Sequence, residues 1–214
     1  MRVESRTVGA FAENCYLLID EGSGRAVLID PGDEGDRIID MVSESGAGLD
    51  AIWLTHAHLD HIGAINSVRA RYPVPVYLHP LDLPFYERLS AHASRMYGLP
   101  WDQPEAVTLP IADGDRLECG ALKFAVMHVP GHAPGQVSFT GYGVAISGDL
   151  LFAGSIGRTD LPLSDPYAMD ASLETFAALP AASIVYPGHG PPTTIGKELE
   201  TNPFLSGRVR TVKR

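Results

Sequence analysis

The sequence predicts an α/β fold in which two packed β-sheets carry helices on their outer faces. Three observations favour this class. Both halves of the 214-residue chain alternate short apolar runs with helix-like segments. The apolar runs end in polar loops, as in layered folds. The composition, 45% hydrophobic and 20% charged, is that of an ordinary globular protein. At this length we expect one domain spanning residues 1–214.

The first half is predicted to contain five strands and three helices. Glu21–Gly24 forms a hairpin turn between the second and third strands. Ile38, Ile39 and Val42 give the first helix an apolar face, and Pro84 interrupts the third helix. The predicted strands are Arg2–Val8, Cys15–Asp20, Ala26–Asp30, Ala51–Leu54 and Val76–Leu78, and the predicted helices are Glu34–Ser45, Ile62–Arg71 and Pro80–Tyr97.

The second half is predicted to contain five strands and one helix. Asp165 is suited to cap a helix that has Pro166 at its first position and ends at Ala178. The predicted strands are Arg116–Glu118, Leu122–His128, Gln136–Thr140, Val144–Ser147 and, as the last strand, Ile184–Tyr186.

Charge and hydropathy exclude several classes of function. A formal charge of −10 disfavours binding to nucleic acid or to anionic membranes. No apolar run approaches the roughly 20 residues that span a bilayer, and Met1–Arg6 lacks the apolar stretch of a secretory signal. We therefore expect a cytoplasmic protein with neither a nucleic-acid nor a membrane partner. Cys15 and Cys119 are too few for a disulfide scaffold, and Cys15 is expected to be buried in a strand.

The segment Thr55–His61 concentrates side chains that bind metals. It places His56, His58, Asp60 and His61 between an apolar strand and a helix. Imidazole nitrogens and carboxylate oxygens suit zinc and other first-row ions. Asp60 has the alternative role of a helix cap, but the whole cluster indicates a metal site.

Three later residues lie in a similar context. His132, Asp149 and His189 each follow a predicted strand and stand beside a glycine. Because the loops at one edge of a sheet often lie close together, we expect these side chains to join the first cluster. The other histidines, His79, His92 and His128, are expected to be structural or surface residues.

The joint pattern resembles the metallo-β-lactamase superfamily. Its HxHxDH motif is matched in full by His56–His61, and the later His, Asp and His follow in order along nearly the entire chain. The resemblance implies a four-layer αβ/βα sandwich with a dinuclear site at one edge of two mixed sheets. It implies two divalent metal ions, with zinc expected and iron or manganese as alternatives.

The same resemblance assigns a role to each side chain. Asp60 and Asp149 are the carboxylates expected to act in catalysis. Asp30 matches an acidic position that supports the ligands from behind, or else it is a turn residue. The metal ligands implied are His56, His58 and His132 for the first ion, Asp60, His61 and His189 for the second, and Asp149 for both.

Such a centre favours hydrolysis. Metal binding lowers the pKa of water to about 7 to 9, which supplies hydroxide at neutral pH. No serine or cysteine nucleophile is then required. The expected reaction is direct attack on an activated carbonyl through a tetrahedral intermediate.

The neighbouring segments point to a thioester substrate. Asp149 stands where many β-lactamases of the superfamily carry cysteine. Ser147–Phe152, Gly157–Asp160 and Thr201–Leu205 resemble the short glyoxalase II-like hydrolases, which act on thioesters such as S-lactoylglutathione. Longer glyoxalase II enzymes add a C-terminal helical domain that holds glutathione, and none is expected here. Arg158 falls at the position of a basic glutathione contact. Asp160 replaces a tyrosine there, so Arg158 and Asp160 either bind substrate or pair with each other.

Other reactions remain open on the same fold. Gly157–Asp160 also resembles persulfide dioxygenases, which use one iron and oxygen. A metallo-nuclease is disfavoured by the acidic charge, and a lactonase is a further alternative. A non-catalytic metal-binding module would not require a complete two-metal set. The sequence leaves the oligomeric state open.

Overall fold

A computed structural model describes residues 1–105, 109–206, 208, 209 and 211. It divides into two compact units. The first comprises residues 1–111 and 117–123, and the second comprises residues 112–116 and 124–214. One domain over the whole chain stays a prediction, and each unit is described by itself.

The first sheet is mixed and has six strands in chain order. The first three strands pair antiparallel and the remaining pairs are parallel. Parallel neighbours need a crossover connection, and helices supply it after the third and fourth strands. The strands are β1 Arg2–Val8, β2 Glu13–Asp20, β3 Arg25–Ile29, β4 Gly48–Trp53, β5 Val76–Leu78 and β6 Leu109–Pro110.

The helices of the first unit follow the predicted order. The single helix predicted over Ile62–Arg71 is wrong, because the helical stretch begins earlier and is divided where the Ala64 N–H donates to the Pro31 carbonyl. The interruption predicted at Pro84 is confirmed, since Pro84 cannot donate to a helical ladder, and the helical residues after it form a π-helical turn followed by an α-helix. The pieces observed are α1 Gly35–Ser45, α2 Leu59–Ile62, α3 Ile65–Arg71, a 3₁₀ turn Pro80–Asp82, a π-helical turn Phe85–Leu89 and α4 Ser90–Tyr97.

The core of the first unit lies between this sheet and its helices. Every residue of β2 is buried, including Cys15 as predicted. Helix α1 buries Ile38, Met41 and Val42, whereas Ile39 is only half-buried. The buried strand β4 ends at Trp53, directly before the histidine-rich segment, so that segment starts from a fixed point.

The second sheet is also mixed. Its strands and those of a small hairpin are β7 Arg116–Cys119, β8 Leu122–His128, β9 Val137–Gly141, β10 Val144–Gly148, β11 Leu151–Phe152, β12 Ser155–Ile156, β13 Ile184–Pro187 and β14 Thr193–Thr194. The strand order of the sheet is β14-β13-β10-β9-β8-β7. Strands β10 and β13 pair parallel, whereas β8–β9, β9–β10 and β13–β14 pair antiparallel. The hairpin β11–β12 follows β10 in the chain.

Helix α5, Pro166–Ala177, lies between the β11–β12 hairpin and strand β13 in the chain. The predicted cap is confirmed: the Asp165 carboxylate accepts from the backbone N–H groups of Tyr167 and Ala168. The prediction that Ile184–Tyr186 is the last strand is wrong, because β14 and helix α6, Ile195–Thr201, follow it. A two-residue strand is too short to show an alternating pattern. Among the described residues, no helix is long and apolar enough to cross a membrane.

Candidate metal centre

The segment after β4 is held in place by side chains from elsewhere in the first unit. The Thr55 N–H donates to Asp30 Oδ1 at 2.7 Å. The Ala57 N–H donates to Asp82 Oδ2 at 2.9 Å, and the Ser90 hydroxyl donates to the Ala57 carbonyl at 2.7 Å. Both flanks of His56 are therefore fixed by buried hydrogen bonds. No motif or spacing in the sequence indicates these roles for Asp82 and Ser90.

Asp30 also fixes the tautomers of two histidines. His61 Nδ1–H donates to Asp30 Oδ2 at 3.0 Å. The Thr55 hydroxyl donates to the same oxygen at 2.5 Å and accepts from His56 Nδ1–H at 3.0 Å. With hydrogen on Nδ1, each neutral ring presents the lone pair of Nε2, the form in which a histidine binds a metal. Asp30 thus orients both rings, and its φ of 52° lies in the left-handed region.

His58 and Asp60 lie at the accessible edge of this segment. Both are half-buried, whereas His56 and His61 are fully buried. The His58 ring meets the Phe85 ring edge-on, with centroids 4.6 Å apart. Asp60 lies inside α2, and no side-chain cap forms at α2 or α3. The helix-cap alternative for Asp60 is therefore wrong.

The surroundings of these ligands are negative. Glu13 is buried with its Oε1 atom 3.8 Å from His61 Nδ1, a position that sequence reasoning missed. Burial raises the pKa of the Cys15 thiol, and the charges of Glu13 and Asp30 raise it further. Ligand atoms of Asp30, His56 and His61 all lie within 4.8 Å of one another. A bound cation would offset the cost of burying these carboxylates.

In the second unit, three predicted ligands converge. Asp149 Oδ2 lies 3.3 Å from His132 Nε2 and 3.4 Å from His189 Nε2. His132 Nδ1–H donates to the Arg158 carbonyl at 2.8 Å, so its Nε2 atom carries the lone pair. The strand ends of β10 and β13 supply Asp149 and His189, as predicted.

Other residues keep these three in position. The Ser164 hydroxyl donates to the His132 carbonyl at 2.7 Å. The Phe152 ring meets His189 edge-on at 5.8 Å, and the Asn202 amide donates to the carbonyls of Phe152 and Ser155. Helix α6, which the sequence did not reveal, therefore supports the β11–β12 turn beside His189.

Arg158 and Asp160 form a two-bond ion pair, with Nε–Oδ1 at 2.8 Å and Nη2–Oδ2 at 3.0 Å. Hydrogen bonding to Arg158 lowers the pKa of Asp160. Both side chains are exposed. Of the two roles expected for this pair, mutual pairing is therefore observed, and substrate binding stays a prediction.

The donor set of each unit fits a divalent metal. Imidazole Nε2 atoms are turned toward carboxylate oxygens, and hydrogen bonds to the opposite ring nitrogens hold them there. The remaining histidines behave as expected: His79 accepts from the Leu81 N–H at the start of the 3₁₀ turn, His92 is exposed, and His128 belongs to β8.

Comparison with known protein families agrees with a metal site. A family description, the metallo-β-lactamase superfamily, matches residues 8–189, and the chain belongs to that superfamily. Members of this superfamily bind divalent metals. The hydroxyacylglutathione hydrolase GloC of Haemophilus influenzae is 36% identical over 97% of this chain and 100% of its own length. The probable metallo-hydrolase YqgX of Bacillus subtilis is 38% identical, with 97% and 99% covered.

Solved structures confirm the predicted fold class. TTHA1623 in a di-iron-bound form has a TM-score of 0.86 and 46% identity, covering 94% of this chain and 100% of that one. The BLEG-1 B3 metallo-β-lactamase has a TM-score of 0.90 and 38% identity, covering 96% and 100%. ETHE1 from Myxococcus xanthus has a TM-score of 0.81 and 28% identity, covering 97% and 85%.

Proposed function

We propose that the protein is a dinuclear metal hydrolase that cleaves a thioester such as S-lactoylglutathione. One observation carries the proposal: two imidazole Nε2 atoms converge on Asp149 Oδ2, which suits Asp149 to bridge two ions. The similarity to GloC over the full length of both chains supports the choice of thioester.

The proposed ligands divide between two ions. Asp30 and the Arg158 carbonyl orient the rings, as their hydrogen bonds indicate. Zinc is proposed, and the di-iron form of TTHA1623 keeps iron as an alternative. The first ion would be held by His56, His58 and His132, the second by Asp60, His61 and His189, and both by Asp149.

When bound, the two ions supply a hydroxide at neutral pH and polarise the carbonyl that it attacks. The protein's own task is to hold its ligands rigidly and to orient the substrate. A thiolate is a good leaving group, so no dedicated general acid is needed. We propose Arg158 and Asp160 as substrate contacts. Both side chains are exposed, and the backbone carbonyl of Arg158 orients His132.

A single-iron persulfide dioxygenase is the second candidate. The similarity to ETHE1 at 28% identity favours it, as does the Gly157–Asp160 segment. A third activity to test is β-lactam hydrolysis, because BLEG-1 is named a metallo-β-lactamase. We also propose a cytoplasmic location and a small-molecule substrate. The charge of −10 supports the further proposal that the protein has no nucleic-acid or membrane partner.

The deciding experiment combines metal analysis with paired assays. Purified protein is expected to carry about two ions, as two-metal hydrolases do, and to hydrolyse S-lactoylglutathione. Oxygen uptake with glutathione persulfide and hydrolysis of a β-lactam are measured on the same preparation. Robust oxygen uptake by protein that carries one iron would replace the hydrolase with the dioxygenase.

A further inference from the structure

We propose that a cavity beside Asp60 receives the acyl group of the thioester and selects uncharged apolar acyl groups over anionic ones. The cavity lies entirely within the first unit and has a volume of about 270 Å³. This inference rests on the proposed thioesterase function and adds the substrate class.

The size of the cavity suits part of a substrate. Pockets for drug-sized ligands occupy about 300 to 1,000 Å³, so this one holds a short group. It is formed by the β1–β2 turn, the start of α2 and the segment after α4. Asp60 is among its lining residues, which places the cavity next to a proposed metal ligand.

The walls are about half apolar. Phe11, Leu59, Leu99 and Trp101 line the cavity. The Phe11 ring meets the Tyr97 ring edge-on at 5.4 Å, and Trp101 packs partly against the hydrophobic core. Phe11 nevertheless remains 39% exposed, a large apolar side chain at an opening to solvent. A hydrocarbon chain entering here would gain burial against these rings.

The charged residues of the lining are all acidic. Asp33 and Asp102 are exposed on the rim, and Asp60 is half-buried. Among the described residues that line the cavity, none is basic. Because Asp60 is a proposed metal ligand, the like charges that an anionic group would meet here are those of Asp33 and Asp102.

The occupant is the acyl group rather than the thiol. In S-lactoylglutathione the thiol half is a charged tripeptide, which is too large for this volume and carries carboxylates. A short acyl chain fits both the volume and the apolar walls. The lactoyl group is itself uncharged, so the preferred substrate class is thioesters of short neutral acids.

The test compares two thioesters of the neutral thiol N-acetylcysteamine, the butyryl and the succinyl ester. Both acyl groups have four carbons, and succinyl adds a terminal carboxylate. We expect the kcat/KM preference for butyryl to be about sixfold greater in wild type than in D33N/D102N, the effect of two carboxylates at roughly 8 Å in a water-like dielectric. Asp60 and the metal ions it is proposed to bind are the same in both proteins, so they do not contribute to this ratio.

The matched control is D36N/D40N, which makes the same change in net charge at exposed carboxylates of α1 outside the cavity. It should keep the wild-type preference. Equal loss of preference in both double variants would mean that overall charge, not the cavity, selects the acyl group. A preference that follows the charge of the thiol instead would overturn the assignment to the acyl half.

A binding measurement separates this inference from the proposed function. Trp101 and Trp53 are the two tryptophans of the chain, and Trp53 is buried in the core. Titration with butyramide should shift the ¹⁵N–¹H indole signal of Trp101 and leave that of Trp53 in place, while succinamate should shift neither. If no thioester is hydrolysed but this shift occurs, the proposed function fails and the subsite stands. Hydrolysis without the shift would remove the subsite alone.

Discussion

The two ligand regions are built in opposite ways. In the first unit, His56–His61 supply four candidate ligands from one continuous segment, and side chains of Asp30 and Asp82 hold it. In the second unit, His132, Asp149 and His189 come from three separate loops, and a backbone carbonyl orients His132. A continuous segment can be recognised from its spacing. Whether dispersed ligands meet depends on the order of the strands, and the residues that hold them in place cannot be identified from the sequence.

The largest expected effect distinguishes Asp149, the proposed bridging ligand, from His58, which is proposed to bind one ion. Asp149→Ala should abolish thioester hydrolysis and reduce bound metal from about two ions to less than one, because a bridge serves both. His58→Ala should also abolish turnover but retain about one ion in the remaining ligands. Metal content by mass spectrometry and assays on the same samples provide the measurement.

Circular dichroism is the control, and both variants should keep the wild-type spectrum. Wild-type turnover in either variant would show that the site has been misplaced. Equal metal loss in the two would show that Asp149 does not bridge.

Two glycines, one in each unit, lie close against the backbone of a proposed metal ligand. A Cβ added at Gly157 would overlap the Asp149 carbonyl oxygen, and one added at Gly32 would overlap the Asp60 carbonyl oxygen. Each Gly→Ala variant should lose about 1 to 3 kcal/mol of unfolding free energy together with most activity. Urea denaturation measures the loss.

Gly22→Ala is the matched control, since its new Cβ would meet only the Asp20 side chain at 3.3 Å. It should change stability little. A similar loss in all three variants would contradict the close-packing explanation.

The way each region orients its histidine can be tested directly. Asp30→Asn alters the acceptor that holds His61, and metal affinity should fall about 10- to 100-fold. Arg158→Ala keeps the carbonyl that holds His132, so metal affinity should stay within about twofold, and any effect should appear in KM. Competition with a chelator gives the affinities. Loss of metal from Arg158→Ala would mean that its side chain supports the site.

The smallest effects concern two carboxylates whose pKa values are lowered. Hydrogen bonds from Ser23, Ala121 and Gly22 lower the pKa of Asp20. A lowered folded-state pKa contributes stability above the unfolded pKa of about 3.9, and this is lost as pH falls through the folded value. Asp20→Asn should therefore lower Tm at pH 7, and the difference from wild type should shrink near pH 3.

Asp160→Asn is the comparison. The Asp160 partner Arg158 is exposed, and such pairs contribute little to stability. Thermal melts should show almost no shift at any pH. A shift as large as that of Asp20→Asn would show that the pair supports the loop beside His132.

The extent of prediction differs between the regions for physical reasons. The ten predicted strands and the α5 cap follow from local apolar patterns and from the Asp165–Pro166 pair, and each predicted strand overlaps an observed one. The break between α2 and α3 escaped prediction because a tertiary hydrogen bond to Pro31 decides it, and the two-residue strands β6, β11, β12 and β14 are too short to show a pattern. In the site, the candidate ligands came from the sequence, whereas Glu13, Asp82 and Ser90 did not.

By itself, the sequence determined the kind of chemistry. The histidines and aspartates of His56–His61, with His132, Asp149 and His189, are a metal-binding set wherever they meet. Only the tertiary structure decided which ring nitrogen is left to bind a metal. Asp30 and the Arg158 carbonyl accept from Nδ1 of His61 and His132, and they lie 31 and 26 residues away in the sequence. Only the tertiary structure also placed a cavity with an acidic lining beside Asp60. Ligand identity is a property of side chains, whereas tautomer and shape arise when distant segments pack.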